Sequence, residues 1–340
     1  MTPPQELSRL ARALTLRHPN LALVPDSENF PWIIRDFQKK LQLLESRKEL
    51  LLPNLQDQNR SIAVFSDYGG DHKKSNYLTY SFLVCALDQI GPFTSAMKTL
   101  RENAGLNKPL KEIAFKDFHY GPVSRSLDRY LLNLSNLVNG YLLTVIVEKS
   151  VESLFGNDKQ ALAALLETSG YGRWKPSVAE KLLRIVHFSA YLVALLSRAD
   201  QKVFWMTDHD SIAQPTERFK AVLGLFSSIL SQYCPHKLST VGGAVPFEEK
   251  TPLMLDLLSA TDIVAGSLEH YFTHSRTDQG TPQIKQEADR VLCWLTGQGI
   301  ALKRQTIIIK AEERGIVSGT LRLQLKTPNV SELVIPVSLD

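Results

Sequence analysis

Apolar positions along the chain follow two rhythms, and the switches between them outline the elements. Residues 5–16 fit a short helix, and residues 32–52 repeat apolar side chains at helical spacing among Arg35, Lys39, Lys40, Arg47 and Lys48, up to Pro53. At Ser61 the pattern changes to a continuous apolar run, 61–66, followed by Gly69-Gly70 and a second run, 77–87, which predicts a β-hairpin. A helix is expected over 93–104, between Pro92 and Gly105. Another is expected over 124–138, where Leu127, Tyr130, Leu131, Leu134, Leu137 and Val138 share one face.

The β-branched stretch 141–147 predicts a buried strand, and 159–167 and 178–197 predict helices. Strand 202–207, helix 216–233, a short strand over 238–241 and helix 252–272 follow. Helix 283–295 then leads to three antiparallel strands, 306–310, 318–325 and 332–337. A hairpin followed by strands alternating with helices predicts an α/β fold, a mixed sheet with helices on its faces. The chain divides on this reading into an N-terminal helical extension (1–58), a central domain (59–275) and a C-terminal helix with a small β appendage (276–340).

Composition narrows the class. With 340 residues, 44% of them hydrophobic and 22% charged, the chain can bury a substantial core. A net charge of +4 is compatible with a polyanionic partner without requiring one. Cys85, Cys234 and Cys293 are odd in number and form no CxxC pair, so they predict neither a disulfide framework nor a zinc site. The N-terminus lacks the apolar core of a signal peptide, and the apolar stretch 182–196 contains Arg184 and His187 and is too short to span a bilayer. A cytoplasmic protein with no membrane association is expected.

The candidate chemistry lies in carboxylates. Asp67 ends the first apolar run and opens the glycine turn; Asp208-His209-Asp210 follows another run, Val203-Phe204-Trp205-Met206. Strand-end carboxylates that converge repel one another unless a cation lies between them. Asp262 is flanked by small and apolar residues in Ser259-Ala260-Thr261-Asp262-Ile263-Val264-Ala265-Gly266, where an unpaired charge is costly. Glu112 offers a further ligand, with Asp117 as its competitor and Lys116, His119 and Arg125 as nearby cations. Simpler readings stand beside these: Asp67 as a turn residue, Asp208 and Asp210 as a helix-capping loop, Asp262 on a helix surface. His270 and His274 are four apart without an HExxH glutamate, which favours a role as cations at a helix C-terminus. No dinucleotide fingerprint, P-loop or nucleophile elbow is present.

In this order the pieces resemble a bacterial family catalogued as domain of unknown function 3800, to which a ribonuclease-H-like fold is assigned. The resemblance covers roughly residues 60–275 and rests on Val64-Phe65-Ser66-Asp67-Tyr68-Gly69-Gly70, Glu112-Ile113-Ala114-Phe115-Lys116, Phe204-Trp205-Met206-Thr207-Asp208-His209-Asp210 and the Asp262 segment. Tyr68 stands where the family has a glutamate, and Thr261 where it has an alanine.

The resemblance implies a metal-dependent nuclease using Mg²⁺ or Mn²⁺. By that resemblance Asp67, Glu112, Asp208 and Asp262 would be the catalytic, metal-binding carboxylates and Asp210 an auxiliary one. Apart from the resemblance, Lys73, Lys74 and Lys116 are the candidates for phosphate contact. The alternative is a non-catalytic nucleic-acid or protein-binding module on the same fold, a subunit of a larger system. A protein partner or homo-oligomer would then dock through the terminal extensions.

Overall fold

The computed structural model describes residues 13–107, 110–156, 158–208, 211–213, 216–245, 251–275, 285–313 and 315–324, together with Glu6, Leu10 and Ala11. Among them, seven strands form one sheet: β1 (Ser61–Gly69), β2 (Tyr77–Ala86), β3 (Gly140–Glu148), β4 (Lys202–Thr207), β5 (Thr240–Ala244), β6 (Leu302–Glu312) and β7 (Gly315–Leu321). Their order is β5-β4-β1-β2-β3-β6-β7. β1, β2 and β3 pair antiparallel, while β4 lies parallel to β1 and β5 parallel to β4. With helices covering both faces, this is a mixed α/β sheet.

The described helices are α1 (Trp32–Ser46), α2 (Gly91–Ala104), α3 (Gly121–Leu137), α4 (Lys159–Thr168), α5 (Pro176–Leu196), α6 (Thr216–Tyr233), α7 (Pro252–Ser275) and α8 (Gln286–Leu295). None is long and apolar enough to cross a membrane. Residues 5, 7–9 and 12 of the helix expected over 5–16, and all of the strand expected over 332–337, lie outside the described residues. α1 stops six residues short of the expected end at Leu52, because Lys48 takes a left-handed backbone conformation (φ 60°) that no helix can continue through.

Side chains alternate across the strands, and both sides are covered. Ile62 and Val64 of β1, with Tyr80, Phe82 and Val84 of β2, pack against α1, α5 and α6. Ala63 and Phe65, with Leu83 and Cys85, pack against α2, α3 and α7. The N-terminal helix is thus part of the first core: Phe37 meets Phe188 and Tyr191 edge-on.

β6 and β7 pair antiparallel, as expected, but do not stand apart as an appendage. β6 lies parallel to β3 from Gly140↔Leu302 to Val147↔Ile309. Deleting 276–340 would therefore strip two strands and α8 from the sheet and its cover. Such a truncation tests folding before it tests assembly.

The second core is pinned by a charge pair. Phe93, Met97 and Arg101 recur every fourth residue on the buried stripe of α2, so the guanidinium enters the core. There Arg101 Nε lies 3.0 Å from both carboxylate oxygens of Asp256 on α7, and Nη2 donates to the same group. Both side chains are 1% exposed. Arg101 Nη1 also donates to the Leu106 and Lys111 carbonyls at 3.3 and 2.8 Å, tying down the segment that leads to Glu112.

Arg101→Met should cost about 3–5 kcal/mol in urea unfolding, because it strands a buried carboxylate. The double variant Arg101→Met/Asp256→Leu should recover part of that loss. Equal losses in the two would show that the pair's electrostatics are unimportant.

Candidate functional site

Parallel register sets the first two carboxylates side by side. Phe65 pairs with Met206 and Ser66 with Thr207, and Asp208 N–H continues the ladder to the Ser66 carbonyl at 3.0 Å. Asp67 and Asp208 are therefore opposite one another at the carboxyl ends of β1 and β4, about 5 Å apart in the hydrogen-bonding direction. Both belong to the face that carries Phe65 and Met206.

α7 brings the third. It lies against β1 and β2 closely enough that Thr79 Oγ1 donates to the Ala265 carbonyl at 3.1 Å. A Cβ on Gly69 would come within 2.7 Å of that same Thr79 oxygen. One turn before Gly266, Asp262 accepts the Phe115 N–H at 2.7 Å. Gly266 itself makes room for the Phe115 ring, which a Cβ there would meet at 2.4 Å. Gly266 is thus what lets the Phe115 segment sit on the helix.

Asp67, Glu112, Asp208 and Asp262 consequently line one cavity of about 90 Å³, together with Lys116, Ala114, Leu255, Leu258 and Ser259. The cavity's electrostatics are strained. The Asp262 carboxyl is pushed up to about 6, first by burial and then by the negative charges of Asp208 and Glu112, against the Phe115 N–H and Lys116, which hold it down. Such a set of hard oxygen donors is of the kind that takes Mg²⁺ or Mn²⁺. Among the described residues, no three acidic, histidine or cysteine side chains are close enough to form a ready-made ion shell. Asp67 Oδ1 accepts the Tyr68 N–H at 2.6 Å and Asp262 accepts that of Phe115, so each would have to share or turn a carboxylate oxygen.

The remaining expected site residues divide. Lys116 is exposed and lines the cavity. Lys73 and Lys74 are exposed in the β1–β2 turn and do not line it. Asp117 is held by Lys111 at 2.9 Å and is absent from the lining, which leaves Glu112 as the carboxylate of that segment. Asp210 and His209 lie outside the described residues.

Tyr68 points to the other face, where its hydroxyl lies 2.6 Å from Ser66 Oγ and 2.7 Å from Thr207 Oγ1. Strand alternation sends any side chain at position 68 away from the carboxylate cavity, so a glutamate there would not have entered it. His270 does not suit a cationic role, since burial and then the neighbouring His274 and Lys285 lower its proton affinity.

No family model matches the chain, and no curated protein matches it. Among solved structures, it is similar to the crystal structure of the ribonuclease H2 from Pyrococcus horikoshii OT3, at 12% sequence identity and a TM-score of 0.29. That alignment covers 69% of this chain and 85% of the other.

Asp262 yields a pH test. A carboxyl with raised folded-state affinity contributes stability that is fully present below its unfolded value of 3.8 and is lost as pH rises through about 6. In EDTA, Asp262→Asn, whose amide oxygen can still accept the Phe115 N–H, should melt higher than wild type at pH 8 by about 2 °C or more. The difference should vanish near pH 4. A variant melting lower at pH 8 would contradict the electrostatic account.

Proposed function

We propose that this chain is a metal-dependent nuclease that hydrolyses nucleic-acid phosphodiesters with Mg²⁺ or Mn²⁺. The observation that carries the reading is the meeting of four carboxylates, distant in sequence, in one cavity with a lysine at its rim. The resemblance of the Asp67, Asp208 and Asp262 segments to the domain-of-unknown-function family supports it.

Asp67, at the carboxyl end of β1, would bridge two ions, with Asp208 and Asp262 holding one each. Glu112 would complete a ligand sphere or orient the attacking water, and Asp210 would be an auxiliary ligand. Bound there, divalent ions would supply charge stabilisation at the phosphoryl oxygens and lower the affinity of a water for its proton. Lys116 would hold a non-bridging phosphate oxygen. Hydrolysis adds the water oxygen to phosphorus and breaks one ester P–O bond, and the departing oxygen takes up a proton.

A non-catalytic nucleic-acid-binding module is the second reading. It is favoured by the carboxylate oxygens already engaged with the Tyr68 and Phe115 N–H groups.

Mn²⁺ should raise the melting temperature at pH 7.5 relative to EDTA, with about 2.7 kcal/mol of stabilisation at a hundredfold excess over Kd. Because protons compete for Asp262, this gain should shrink as pH falls below about 6. Asp67→Asn should remain folded and lose Mn²⁺-dependent cleavage of oligonucleotides by at least ~100-fold. Full cleavage by that variant would end the reading; oligonucleotide binding with no Mn²⁺ shift and no cleavage would favour the second.

A further inference from the structure

A second cavity lies on the opposite face of the sheet, beside Leu78 and Tyr80 of β2. Four residues beyond Asp67, Asp71 lines it; three beyond Asp208, Ser211 lines it. The hairpin turn therefore separates the two by no more than about 14 Å of chain. The second cavity is larger, about 440 Å³, and its charge is of the other sign. Lys149, Lys159, Lys181 and Arg184 line it against only Asp71 and Glu180, an excess of two positive charges.

The two acids are already engaged. Glu180 accepts Arg184 Nε at 2.8 Å, the Leu154 N–H at 2.9 Å and Ser153 Oγ at 2.9 Å. Asp71 takes Lys181 Nζ at 2.5 Å. Lys149, at the end of β3, donates to the His72 carbonyl at 2.7 Å. Lys159 opens α4 and, among the described residues, has no carboxylate of its own. Burial disfavours the Lys149 ammonium, and the nearby charges of Asp71 and Glu269 offset this only in part. An anion in the cavity would reverse that cost. Ser177 and Ser211 complete the polar lining.

We infer that this basic cavity is a second phosphate-binding site, which holds a backbone phosphate of a nucleic-acid strand lying across the β1–β2 turn from the carboxylate cavity. Lys149 and Lys159 supply the charge, while Lys181 and Arg184, fixed by their acid partners, shape the wall. Lys73 and Lys74 are exposed on the same turn, two and three residues beyond Asp71. A strand held on both sides of the turn would have its scissile region set by geometry, whatever its base sequence. The inference rests on the nucleic-acid reading above but makes its own claim, since it concerns binding without metal.

The test measures fluorescence anisotropy of labelled single-stranded DNA and RNA, about 16 nucleotides long, in EDTA across a salt series. Wild type should bind with an affinity that falls as salt rises. Lys149→Ala/Lys159→Ala should weaken binding at least ~10-fold at roughly 50 mM salt and flatten the log–log salt slope by about 0.7, the equivalent of one lost phosphate contact. Lys159→Glu, at a partly exposed position, should shift affinity in the same direction and guards against a folding defect in the double variant. Unchanged affinity and slope would overturn the proposal, as would absence of binding by wild type. A melting shift with inorganic phosphate but no oligonucleotide binding would also overturn it. Failure of the Mn²⁺ melt with these effects intact would sink the nuclease reading alone.

Discussion

The site depends on how α7 is seated. Three of its residues act on the segment that carries Glu112: Asp256 grips Arg101, whose guanidinium holds the Leu106 and Lys111 carbonyls; Asp262 receives the Phe115 N–H; Gly266 leaves space for the Phe115 ring. The helix in turn is tied to the sheet by the hydrogen bond from Thr79 Oγ1 on β2 to the Ala265 carbonyl. Were any of these to shift, Glu112 and Lys116 would leave the cavity while Asp67 and Asp208 stayed, since the latter pair is fixed by backbone register alone.

That difference in support has an energetic side. Asp67 and Asp208 converge at no conformational cost beyond making the sheet, whereas Asp262 is held among like charges with a raised proton affinity. The Arg101–Asp256 pair, buried nearby, shows the same chemistry resolved by a guanidinium. Around Asp262 the compensation is weaker, one peptide N–H and the exposed Lys116. The result is a cavity with an electrostatic deficit that a cation would offset.

Much of this was legible in the sequence. The apolar run into Asp67 and the one into Asp208 mark strand ends, and an aspartate inside Ala-Thr-Asp-Ile-Val-Ala-Gly is hard to place on an ordinary helix surface. What local pattern does not carry is partnership. A parallel ladder has no turn to announce it, so β6 read as part of a separate hairpin although it lies beside β3. Arg101 was overlooked because a single arginine looks solvent-facing until its spacing from Phe93 and Met97 is noticed. Tyr68 illustrates the converse: the two-residue period already places it on the face away from Asp67. Lys73 and Lys74, expected as phosphate contacts, follow Asp67 closely in sequence but do not line the carboxylate cavity.

The pairing of β3 with β6 joins residues some 160 positions apart, Gly140 with Leu302 at one end of the ladder. During synthesis the first three strands can therefore assemble long before the fourth neighbour leaves the ribosome. Until then β3, all nine residues of which end up buried, presents an apolar, unsatisfied edge. Closing so distant a contact is slow. The nascent chain is consequently exposed to mispairing and aggregation during that interval, which makes its yield in the cell sensitive to chaperone capacity.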